Sequence, residues 1–192
     1  MNNAYSLLAT ILRYPGADYY PAVLSMQTLS PEILSAFADW VATSTENELD
    51  DLYVKTFDIH AICFLEVGYV LFGEDYKRGH LLVKLQELHH EFGVDCGVEL
   101  ADHLPNLLHL LPLLKAARPE ESQALVEKIV LPALDKMLEG FAEKGNVFAG
   151  PLKAVKEILE RDYDCKGMSP HAPADNLIHL PAYKNESERW PS

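Results

Sequence analysis

Cysteine is scarce in this chain: Cys63, Cys96 and Cys165 are three in 192 residues, odd in number and far apart. No C-x-x-C pair occurs, so neither a disulfide framework nor a cysteine-ligated zinc site is expected, and the residues read as reduced cytosolic thiols. Basic residues are also few, 16 against 29 acidic ones, for a net charge of −13. That sign disfavours nucleic acid and anionic lipid, both of which need a basic surface. No apolar run approaches the roughly 18 residues of a membrane span, and Met1 to Leu12 lacks the basic start of a secretory signal. A cytoplasmic location and no transmembrane segment are expected. The G-x-S-x-G elbow, the P-loop and the G-x-G-x-x-G turn are all missing, as is any alternating run of β-branched residues.

Helical periodicity fills the space those absences leave. A first helix is expected from Asn3 to Arg13, stopped by Pro15-Gly16, and a short second one after Asp18. Ser30-Pro31-Glu32 reads as an N-cap with proline in the first turn, opening a helix through Trp40. Thr45 with Glu48 forms a capping box, and Leu49, Leu52, Tyr53, Thr56 and Phe57 make one apolar face behind it. Ala61 to Phe72 is apolar nearly all round and reads as a buried central helix ended by Gly73. Asp75–Phe92, Leu104–Ala117 (with Pro112 inside), Pro119–Glu143 and Val147–Tyr163 complete the helices, with Val94–His103 as a loop. The expectation is an all-α bundle of about eight or nine helices over 1–163. An irregular, proline-containing tail over 164–192 is expected to dock Leu177, Ile178 and Leu180 on the body.

The acidic charge is concentrated. Thirteen acidic and four basic residues lie between Glu46 and Asp102, a distribution that steers cationic partners or simply keeps helices soluble. Eight histidines invite a di-iron or haemerythrin-like reading. Glu87-x-x-His90 has one of the required spacings, but such sites need two of these pairs, and there is no second. His89 and His90 are expected at the surface, and no metal ligand is assigned. Asp102 and His103 are neighbours that cannot face each other on a helix, and no nucleophile accompanies them. Catalysis is therefore not expected. Tyr53 and Phe57 remain open between two readings: core residues, or the lining of an apolar groove rimmed by carboxylates and suited to an arginine-bearing amphipathic helix.

Three ordered segments carry a family resemblance. Leu49-Asp50-Asp51-Leu52-Tyr53-Val54-Lys55-Thr56-Phe57-Asp58 resembles the YxxxFD helix of the nitrate reductase delta-subunit (NarJ) chaperones. Phe72-Gly73-Glu74-Asp75-Tyr76-Lys77-Arg78-Gly79-His80 resembles their glycine–acidic–RG connection. Glu99-Leu100-Ala101-Asp102-His103-Leu104-Pro105 is similar to their ELPDxLP segment and to the Glu-x-x-Asp-His motif of the wider TorD-like family. The likeness is clearest over residues 45–115. Ala101 departs from it, standing where these families usually carry proline.

The resemblance implies a chaperone, without a cofactor of its own, for the N-terminal segment of a molybdopterin-dependent catalytic subunit. It would assist cofactor insertion, with transient contact with the molybdenum cofactor machinery, as a monomer or dimer. Its site residues carry over to Tyr53, Phe57, Asp58, Glu99, Asp102, His103, Leu104 and Pro105. Asp58 and Asp102 would pair with client arginines, which bind carboxylates bidentately. His103 would orient Asp102. Arg78 and Gly79 would be structural, making a tight helix start with an internal ion pair. A helical metalloprotein and a permanent oxidoreductase subunit stay open as alternatives.

Overall fold

The computed structural model describes residues 4–141 and 145–165. The helices are α1 (Ala4–Ile11), α2 (Tyr19–Leu29), α3 (Pro31–Thr43), α4 (Glu46–Phe57), α5 (Val67–Phe72), α6 (Tyr76–Glu91), α7 (Leu104–Ala117), α8 (Pro119–Leu125), α9 (Leu131–Glu139) and α10 (Ala149–Asp162). A single π-turn, Val126–Val130, joins α8 to α9. Pro132 explains it. A proline ring clashes with the carbonyl four residues back, and a widened turn relieves that clash without breaking the helix. With α8 and α9 counted as one continuous helix, the described residues form nine helices. The expected all-α bundle is therefore the observed one.

Local signals position several of these helices. Thr45 accepts a hydrogen bond from the Glu48 amide while the Glu48 carboxylate accepts from Thr45, closing the capping box that starts α4. Asp75 caps α6 through the Lys77 amide at 2.9 Å. Gly73 and Gly93 take positive φ values of 62° and 64° at the ends of α5 and α6, a conformation glycine adopts without a Cβ penalty. In the core, α1 packs on α2 and α7, α3 on α2 and α10, and α5 on α9.

The segment 61–72 departs from expectation. Only Val67–Phe72 is helical, because residues 65–67 are drawn into extended pairing with 102–104. The Val67 amide donates to the Asp102 carbonyl at 2.9 Å, and the Leu104 amide donates to the Leu65 carbonyl at 2.8 Å. Phe64 is exposed and Tyr69 half-buried, so this run is not the buried central helix. The expected tail falls outside the described residues beyond Cys165, as does its proposed docking through Leu177, Ile178 and Leu180.

An aromatic cluster joins α3, α4 and the start of α10. Phe148 lies 5.3 Å from Phe37, 4.9 Å from Phe57 and 6.0 Å from Tyr53, measured between ring centroids. Phe148→Ala should therefore cost about 3–5 kcal/mol of stability, as expected for emptying a buried phenylalanine site. Urea unfolding followed by circular dichroism checks this; a loss below about 1 kcal/mol would show that the cluster does not anchor α4.

Candidate functional site

The segment between α4 and α5 touches both candidate regions: the Ile62 and Cys63 amides donate to the Thr56 carbonyl of α4, and 65–67 pair with 102–104 through backbone hydrogen bonds, holding Glu66 opposite His103. The loop that carries Glu99 is pinned from two sides. Asn106, fully buried, donates to the Leu100 carbonyl at 3.1 Å, and the His89 ring lies 3.0 Å from the Ala101 carbonyl. Asn106 is itself held by the Arg13 guanidinium at 2.6 Å.

Behind this junction sits a buried ion pair. Arg78 Nε donates to Asp102 Oδ2 at 3.2 Å, with the Asp102 side chain 0% and that of Arg78 18% exposed. Arg78 also stacks on the Tyr69 ring, 5.1 Å from its centroid. The fit is tight: a Cβ placed on Gly68 would stand 2.7 Å from Asp102 Oδ2. Gly68 is thus the glycine this pair requires. Gly79, in the first turn of α6, has open space around its Cα, so the tight helix start expected of it is not what it provides.

Several sequence-based assignments change. Asp102 is buried and already matched to Arg78, so it has no free charge to offer a client arginine. The internal ion pair expected of Arg78 is present, with Asp102 as its partner. Tyr53 and Phe57 are 9% and 6% exposed; they pack within the aromatic cluster and against each other at 5.2 Å. They are core residues rather than a groove lining. Leu104 and Pro105 are buried at the start of α7, where the fixed φ of proline suits a first helical turn. His103 does not orient Asp102, since His103 Nδ1 and Asp102 Oδ1 are both buried without a hydrogen-bond partner. His89, expected at the surface, is buried, whereas Glu87 and His90 are exposed. Of the assigned carboxylates, Asp58 and Glu99 are the exposed ones.

The electrostatics at the junction follow from crowding. Burial, Glu99, Glu66 and Asp58 together push the Tyr53 hydroxyl pKa up, opposed by Arg13. Burial raises the Glu66 carboxyl, and the Asp102 and Glu99 charges add to that rise. Burial, helped by the Arg13 charge, holds His103 down to about 4, so its imidazole is neutral at physiological pH. Cys63, pushed up to about 12 by burial and by Glu66, stays a thiol and is no nucleophile at neutral pH.

A separate surface feature lies at the other end of α4. A groove of about 740 Å³ opens between α2, the end of α3 and the start of α4. Its walls include the buried Tyr19 and Val41, the half-buried Leu49, the exposed Tyr20, and the carboxylates of Glu46 and Asp50. Tyr14, packed edge-on against Tyr53 at 5.5 Å, hydrogen-bonds Asp50, and this contact raises its hydroxyl pKa. The acidic start of α4 therefore borders a groove of mixed polar and apolar lining to which α2, α3 and Leu49 of α4 contribute, and neither Tyr53 nor Phe57 is part of it.

Sequence reasoning missed Glu66, Arg13, Asn106 and Gly68. Glu66 had a visible signal: it is the lone acid inside the apolar run 61–72, and a charge kept in such a run asks for a partner or a function. No protein-family model matches the chain, and no curated protein matches it.

Two outcomes follow. Arg78→Ala, which strands a fully buried carboxylate, should destabilise by about 3–5 kcal/mol. Asp102→Ala should cost less, because Arg78 keeps some solvent and its contact with Tyr69. Chemical denaturation of both variants tests this, and equal or reversed losses would contradict the account. The second outcome concerns acid. His103 titrates near 4 when folded and near 6.5 when unfolded. Between those values the unfolded chain binds the extra proton, so stability falls as pH drops. The contribution of His103 is on the order of 3 kcal/mol, and the raised Glu66 offsets part of it. Urea midpoints from pH 7 to pH 4.5 should decline, and His103→Gln should flatten that decline; a flat wild-type profile would contradict it.

Proposed function

We propose that this chain is a cytoplasmic chaperone, not an enzyme, which binds the N-terminal segment of a molybdopterin-dependent catalytic subunit. The groove between α2, α3 and α4 is the receptor. The observation that carries this reading is a groove of mixed apolar and polar lining with acidic residues at its edge, bordered by the very helix whose sequence resembles the YxxxFD segment. Its volume falls in the range of ligand-binding clefts, and its chemistry suits an amphipathic helix with a greasy face and flanking arginines.

The division of labour follows from exposure. Tyr20 and Leu49 offer amphipathic and aliphatic contact area, with the Tyr20 hydroxyl as a polar handle. Glu46 and Asp50 accept from client arginines, whose planar forks match carboxylates. The net charge of −13 raises the rate at which a cationic segment arrives and disfavours acidic ones. Asp58 sits at the far end of α4, and twelve helical residues span about 18 Å, so a helix lying along α4 meets acidic charge at both ends. Among the described residues, no helix is long and apolar enough to cross a membrane.

Calorimetric titration with the N-terminal peptide of a candidate catalytic subunit tests the proposal. The double reversal Glu46→Lys/Asp50→Lys should weaken binding about tenfold or more, since each reversal replaces an attraction by a repulsion worth up to about 1 kcal/mol. Tyr20→Ala should weaken it as well, with helicity unchanged. Undiminished binding in both variants would remove the groove assignment, and no wild-type binding to any such peptide would remove the function.

A further inference from the structure

A second cluster lies away from that groove, where α4, the segment 61–66 and the loop 95–103 converge. One carboxylate oxygen each of Glu66 and Glu99 and one ring nitrogen of His103 all lie within 4.8 Å of one another. We propose that Glu66, Glu99 and His103 form a site for a single divalent transition-metal cation, zinc first among them.

The ligand types select the metal. Two carboxylates and an imidazole suit zinc and its neighbours, whereas calcium and magnesium take oxygen ligands in greater number. Three protein ligands leave a position for water, as in open zinc sites. Zinc–ligand bonds of about 2.0–2.2 Å put tetrahedral ligand atoms roughly 3.3 Å apart, so the cluster must contract by about 1.5 Å. Glu99 can supply that movement: it is exposed, between Val98 at 99% exposure and Leu100 at 45%.

An independent feature points to a bound ligand. The His103 side chain is only 4% exposed, yet its Nδ1 has no hydrogen-bond partner, an uncommon state for a buried polar atom. The ring is neutral at physiological pH, as ligation requires. Negative charge is also in excess. The Asp102 and Glu99 charges act on Glu66, and Arg78 is committed to Asp102. A divalent cation would offset that crowding, since the positive charge acting on Glu66 there, Arg78, is already paired with Asp102. The site does not depend on the peptide-binding reading.

The full chain, stripped with a chelator and titrated with zinc chloride by calorimetry, should bind one zinc per molecule. Glu99→Gln, at an exposed loop position, should leave the circular dichroism spectrum unchanged and weaken zinc binding about tenfold or more, since even outer-shell losses cost that much. Glu66→Gln should do the same. Cobalt should give a visible absorption band of low-coordinate geometry that both variants lose. No saturable zinc binding by wild type, or equal affinity in wild type and both variants, overturns the site. The peptide titration reads the groove separately, so failure of one proposal is distinguishable from failure of the other.

Discussion

The acidic side of this protein depends on the burial of one carboxylate. Asp102 is sealed from water and its charge is matched by Arg78 from α6. Removing Arg78 would leave a fully buried carboxylate unpaired, and that cost is larger than what most surface contacts contribute. The pair fixes α6 against the 99–103 loop. The short backbone pairing of 65–67 with 102–104 then sets where Glu66, Glu99 and His103 stand. Gly68 is part of the same constraint, since nothing larger fits beside the Asp102 carboxylate.

This constraint decides which acidic groups can meet a partner. A carboxylate consumed by an internal guanidinium adds little field outside the protein, whereas the exposed Glu46, Asp58 and Glu99, and the half-buried Asp50 beside Tyr14, face solvent. The proposed receptor thus separates two jobs that sequence alone merges. Tyr53, Phe57, Arg78 and Asp102 build the scaffold. Residues one or two helical turns away, or on neighbouring helices, present the surface.

Much of the fold was legible because its signals are local. The Thr45 capping box and the glycine stops at 73 and 93 act within a few residues and stand as expected; Ser30-Pro31 does open α3, although the Ser30 side chain makes no capping hydrogen bond. The segment 61–72 was misread because uniform apolarity carries no period. Whether such a run coils or extends depends on a partner segment, here residues 102–104, with Glu66 and His103 paired 37 positions apart. The burial of His89 was likewise set by tertiary context. In the candidate site, residue types do not encode exposure. Nothing in the spacing of Tyr53, Phe57 and Asp102 tells a groove from a core, and the groove itself needs Tyr19, Tyr20 and Val41, which no motif marks.

The most direct test of the proposal that surface carboxylates of α4, and not Asp102, receive the client is amide chemical-shift mapping of the labelled protein with its peptide. The account predicts shifts concentrated at residues 15–20 and 41–50. Shifts concentrated at 99–105, with the groove undisturbed, would contradict it.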